Sequence, residues 1–173
     1  AVMLISLVSP TLNNLIIARM HFKQYDGAFL AISKLRALQP DSLAARMKQF
    51  TSSCINETHL YIVTGAYEKG IALSGEIEKG IQEYQLPVLR HGNYLSLCGN
   101  MVYLYFEAGR FQDALRWNNR ILHEKQEKNV REDLHYFALT MNLMIHFELG
   151  NDMLLEHAVK SVYRYLRKKD RLY

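Results

Sequence analysis

The chain has 173 residues, 49% of them apolar and 22% charged, which suits one domain or a short repeat array and excludes global disorder. With nine Gly and three Pro, it has too few breakers for the many short strands of a sandwich or barrel, so composition points to helices. The formal charge of +4 sits at one end: residues 160–173 carry a net +5 and the rest −1, so no basic face runs along the molecule and nucleic acid is disfavoured as a partner.

Residues 1–8 are the most apolar stretch, but Ser6 interrupts them. They fall far short of the roughly 20 residues that span a bilayer, so no membrane span is expected. No basic residue precedes them and no small-residue cleavage pattern follows, which argues against a signal peptide. The chain begins at Ala1 rather than Met, and we expect it to be a fragment of a longer chain. Pro10 is expected to start or kink the next helix, with residues 1–8 as an extension of that helix or a remnant of a preceding unit.

Apolar spacing then predicts helix pairs at about 11–22 with 25–38, 42–64 with 67–85, 89–108 with 111–127, and 131–149 with 152–168. The third pair is the clearest. Met101, Val102, Tyr105 and Phe106 recur at helical spacing, Ala108-Gly109-Arg110 breaks the run, and Phe111, Ala114, Leu115, Asn118, Ile121 and Leu122 resume it. Gly109 can take the left-handed conformation that ends a helix, and small Ala114 lets two helices approach closely.

The same grammar recurs along the chain. An aromatic opens the second helix at Tyr25, Tyr67 and Phe111, separated by 42 and 44 residues, and a small residue follows three positions later at Ala28, Gly70 and Ala114. Gly65 stands two before Tyr67, as Gly109 stands two before Phe111. Gly150 follows Gly109 by 41 residues, with Asp152 as an N-cap candidate, but this last unit lacks the aromatic and places its small residue late, at Ala158. Each hairpin is apolar on too many sides to stand alone, so stacking must bury the remainder, which is an α-solenoid signature. Gly75 and Gly80, inside a predicted helix with Gly70, are read as allowing either close packing or a soft segment.

Catalytic chemistry finds little support. No GxxxxGK[ST], HExxH, GxSxG or GxGxxG occurs, and the seven His are scattered, so we expect no enzyme, no metal and no cofactor. Cys54 and Cys98 lack CxxC partners, which argues against a zinc or redox site and suits a reducing, cytoplasmic setting.

The repeat grammar resembles the tetratricopeptide repeat (TPR) family. The third unit supplies Cys98, Met101, Val102, Tyr105, Gly109, Phe111, Ala114 and Ile121 in the family's order, and the first supplies Leu12, Leu15, Ile16, Tyr25, Ala28, Ile32, Leu35 and Pro40. The second matches at Tyr61, Gly65, Tyr67 and Ile77 but puts Glu57 and Thr58 where bulky and small residues belong. The spacing, about 42 residues, is about eight longer than the family's 34. The resemblance implies an all-α fold, an α-α superhelix (TPR-like solenoid) of about four helical hairpins. Residues 1–173 would form a single domain with units at about 9–42, 51–84, 95–128 and 136–169.

Asn14, Asn56, Asn100 and Asn142 follow one another at 42, 44 and 42 residues, the fourth with a register ambiguous by one. The resemblance places them on a concave groove, where an amide can clamp the backbone of an extended peptide. The competing reading has them bond the neighbouring repeat. Helical spacing adds Ile17, His21, His59, Val63, Tyr103 and Glu107 to that face. The lining lacks the Lys and Arg set that grips a terminal carboxylate, so an internal or hydrophobic peptide segment fits better. The expected function is a non-catalytic protein–protein interaction scaffold that takes a peptide or partner helix. One alternative is a regulatory module resembling bacterial peptide-sensing regulators, with its effector domain elsewhere. The other is weak nucleic-acid binding through Arg164, Arg167, Lys168, Lys169 and Arg171, a set that reads more simply as a solvated last helical turn.

Overall fold

A computed structural model describes residues 2–123 and 131–168, and all regular structure among them is helical. The helices are α1 (Val2–His21), α2 (Tyr25–Ala37), α3 (Leu43–Val63), α4 (Tyr67–Ile71), α5 (Ser74–Glu83), α6 (Leu86–Leu89), α7 (His91–Glu107), α8 (Phe111–His123), α9 (Glu132–Glu148) and α10 (Asp152–Lys168). Most bounds fall within two residues of the spacing-based ones. One expectation is narrowed and one needs correcting. Pro10 does not start a helix: α1 begins at Val2 and runs through it, so residues 2–8 extend the first helix, one of the two expected arrangements. The expected helix at 67–85 is divided at Ala72–Leu73, where the Leu73 N–H turns back to the Gly70 carbonyl at 3.2 Å. Residues 124–127, expected to extend α8, lie outside the described residues.

One turn geometry closes four hairpins among the described residues. The chain enters the left-handed region at Lys23 (φ 56°), Gly65 (70°), Gly109 (70°) and Gly150 (66°). In each case its N–H bonds the carbonyl three residues back, at 2.9–3.1 Å, and the next N–H reaches five back, at 2.8–3.0 Å. Three of these residues are Gly, for which a positive φ carries no Cβ penalty; Lys23 adopts the same conformation at a cost of about 1 kcal/mol.

Packing follows the order of the hairpins. Each first helix touches the next first helix (α1 with α3, α3 with α7, α7 with α9), while α2 packs on α3 and α8 on α9. The main core runs from Met47 through Leu97, Met101, Leu104 and Trp117 to Ile145, and Ile16, Ala28, Ile32 and Leu35 of the first hairpin pack with Leu60 of α3. An ion pair also joins neighbouring hairpins: Arg120 of α8 grips Glu78 of α5 through its two terminal guanidinium nitrogens, at 2.6 and 3.0 Å, and lies over the Trp117 ring.

The glycines separate into two kinds. A Cβ on Gly70 would lie 2.7 Å from both methyls of the fully buried Leu104, and one on Gly80 would enter the Phe50 ring, so both allow close packing. Gly75 faces open space. Gly70→Ala should therefore destabilise by about 1–3 kcal/mol as Leu104 is displaced. Gly75→Ala should stabilise by up to about 1 kcal/mol through helix propensity. Urea melts that show the same sign for both would refute this distinction.

Candidate functional site

The turns resolve the asparagine register. Asn14, Asn56 and Asn100 each lie nine residues before a left-handed residue, at Lys23, Gly65 and Gly109. Nine before Gly150 is the buried Met141, so Asn142 stands one residue outside the series.

The amides of Asn56 and Asn100 reach across to the preceding hairpin. Asn100 Nδ2 donates to the Ile55 carbonyl at 3.1 Å and to Thr58 Oγ1 at 2.8 Å, and Asn56 Nδ2 donates to Asn13 Oδ1 at 2.9 Å. The register neighbour of Asn56, Asn14, is exposed and is not the acceptor; Asn13 is. Thr58, which departs from the small residue of the family pattern, supplies the hydroxyl that receives Asn100. A further buried rung was not anticipated: Asn118 Nδ2 donates to the Ala138 carbonyl at 2.9 Å, joining α8 to α9.

Beside these rungs is an open pocket of about 380 Å³ between α3, α7 and α9. Of the expected groove residues, Asn56, His59, Asn100 and Tyr103 line it. Asn14, Ile17, His21, Val63 and Glu107 are exposed away from this lining, and Asn142 is half-buried on α9. Glu107 still bears on the pocket, since its carboxylate hydrogen-bonds Tyr103; burial and that negative charge hold the Tyr103 hydroxyl above the usual phenol range. The rest of the lining was not read from the sequence and includes Ile55, Ile62, Ser96, Leu134, Phe137 and Arg131. Gly99 was one available signal: the Leu134 methyl would sit 3.3 Å from a Cβ there, so α9 comes close because that side chain is missing.

The electrostatics of the pocket are mild. Arg131 donates to Ser96 Oγ at 2.8 Å and holds Asp133 by a two-point pair at 2.9 and 3.0 Å, which keeps the Asp133 carboxyl below its usual range. The cation at the rim is thus largely neutralised, and the interior is apolar with amide, hydroxyl and imidazole groups at its edge. Such a surface suits an uncharged apolar segment with a few polar contacts. Among the described residues, no group of three or more His, Cys, Asp or Glu is placed to hold a metal ion, and no helix is long and apolar enough to cross a membrane. Lys169 and Arg171 lie outside the described residues, while Arg164 and Arg167 are exposed on α10.

A second polar cluster joins α2, α3 and α5. Arg36 donates to Glu57 at 2.7 Å and to Glu76 at 2.5 Å, with Cys54 Sγ 3.7 Å from its guanidinium. Burial and the Glu76 carboxylate push the Cys54 thiol up to about 12, so this is an inert thiol rather than a nucleophile.

No family model, curated protein or solved structure matches this chain.

Two measurements follow from these contacts. Asn100→Ala should lower stability by about 1–3 kcal/mol, since it strips a donor from a half-buried seam and leaves the buried Thr58 hydroxyl without it, whereas Asn142→Ala should stay within about 0.5 kcal/mol. Equal thermal shifts in the two variants would count against the inter-hairpin role. The raised Cys54 pKa means that the folded state holds its proton more tightly than the unfolded chain. That contribution is complete below the unfolded thiol value of about 8.5 and is lost as pH rises through about 12. At pH 8 a thiol reagent should leave Cys54 unmodified until urea unfolds the chain.

Proposed function

We propose that this chain is a TPR-like superhelix of four hairpins, that it is non-catalytic, and that it binds a peptide or partner helix of another protein. The supporting observation is the pocket between α3, α7 and α9, where Asn56, His59, Asn100 and Tyr103, separated by up to 47 residues in sequence, meet on one surface. On this reading the surface is the concave side of the stack, and the ligand is an extended or helical segment with one or two large apolar side chains.

The Asn side chains have a divided role. Their Nδ2 groups tie hairpin to hairpin, so they set the spacing of the groove and leave the carbonyl oxygens to meet a ligand N–H. Affinity would come chiefly from the apolar walls, Leu134, Phe137, Ile55 and Ile62, with Tyr103 as an aromatic anchor. A basic ligand would gain from Glu107, and an acidic one would gain little from Arg131, already paired to Asp133.

Peptides selected from a displayed library against the chain test this reading. His59→Ala and Tyr103→Ala together should weaken the selected peptides by at least about tenfold, or about 1.4 kcal/mol, with little change in melting temperature. Selected peptides that bind the parent and the pocket variant equally well would overturn it.

A further inference from the structure

The fourth hairpin departs from the other three at two positions, with one structural consequence. Where the third unit stacks Phe111 on Phe106, with ring centroids 5.4 Å apart, the fourth has Asp152 opposite Phe147, which is left 70% exposed. Where the earlier units carry Ala28, Gly70 and Ala114 five residues after the left-handed turn, the fourth carries Leu155, a side chain large enough to hold α10 off α9. The result is an apolar cleft of about 350 Å³ lined by Phe106, Leu143, Met144, Phe147, Leu155 and Val159, with Glu148 at its edge.

The α10 surface beside this cleft has an ordered charge pattern. Asp152, Glu156, Val159, Tyr163 and Arg167 follow one another at spacings of four, three, four and four, which places them on one helical face. The face is acidic at its N-terminal end, apolar in the middle and basic at its C-terminal end. Its side chains are exposed, Val159 and Tyr163 each by more than half. Among the described residues neither Asp152 nor Arg167 has an ion-pair partner, while Glu156 pairs with Lys160 along the helix.

A face acidic at one end and basic at the other is the electrostatic complement of its own reversed copy. We propose that two copies of this chain associate through α10, antiparallel about a twofold axis near Val159–Lys160. In that arrangement Asp152 meets the second copy's Arg167, Glu156 meets its Tyr163, and the Tyr163 ring fills the cleft that Leu155 and Val159 line. A parallel arrangement would set like charges against one another, and an uncharged partner helix would leave both Asp152 and Arg167 unpaired. A twofold, self-complementary patch closes at two subunits and does not propagate.

Sedimentation equilibrium of the 173-residue chain over a concentration series tests this. A monomer–dimer equilibrium is expected. Asp152→Lys and Arg167→Glu should each weaken the dimer at least about tenfold, and the two together should restore it, because the exchanged charges again face each other. Far-UV circular dichroism establishes that each variant is folded. If a reversal unfolds the hairpin, Asp152→Asn and Arg167→Gln replace it, each again expected to weaken the dimer. A chain that stays monomeric at its solubility limit, an open series of larger oligomers, a dimer indifferent to the single changes, or charge reversals that fold but show no recovery when combined would overturn the proposal. Since α10 lies outside the pocket between α3, α7 and α9, Tyr103→Ala should leave the dimer unchanged.

Discussion

The whole arrangement depends on where the backbone can enter the left-handed region. Each hairpin needs one such residue to end its first helix and reverse the chain, and four positions supply it: Lys23, Gly65, Gly109 and Gly150. The two backbone bonds that follow satisfy carbonyls at the end of the helix and fix the angle at which the next one leaves. Once the turn is set, the residues two and five beyond it decide how closely the second helix can lie. Tyr25 and Ala28, Tyr67 and Gly70, and Phe111 and Ala114 all serve this contact.

Between hairpins the chain uses a different device. Apolar packing binds one hairpin to the next but leaves their sliding weakly specified, because side chains of similar size can repack. Directional bonds remove that freedom. Asn100 on α7 reaches the Ile55 carbonyl and Thr58 on α3, Asn118 on α8 reaches the Ala138 carbonyl on α9, and Arg36 holds Glu57 and Glu76 from α2. The α3–α7–α9 pocket lies beside this lattice, so the groups that would meet a ligand there sit on helices already held in register.

The fourth hairpin shows how little is needed to alter a unit. Asp152 replaces an aromatic and Leu155 replaces a small residue, while the turn at Gly150 keeps the common geometry. The backbone therefore repeats but the side-chain seam does not close. The apolar groups left over, Met144, Phe147, Val159 and Tyr163, are exposed. This is the surface that the proposed self-association through α10 would cover.

Helical content, hairpin pairing and turn positions were legible in the sequence because they depend on local chemistry. The aromatic, small and glycine residues recur at spacings near 42, and the turns they mark close on backbone bonds only a few residues apart in the chain. The asparagine face was half legible: the period pointed to Asn56 and Asn100, but only the fold showed that Asn13 rather than Asn14 accepts, that Met141 rather than Asn142 holds the fourth place, and that Arg131, Leu134 and Phe137 complete the pocket. The division at Ala72–Leu73 was not legible, because neither residue is a helix breaker and the backbone there tightens through a bond from Leu73 back to Gly70. The sequence alone thus determined most of the helical segments and where each pair reverses. Which side chains meet across hairpins was decided by tertiary structure, because a contact spanning 42 residues depends on the rotation of two helices about their axes, a quantity no local spacing encodes.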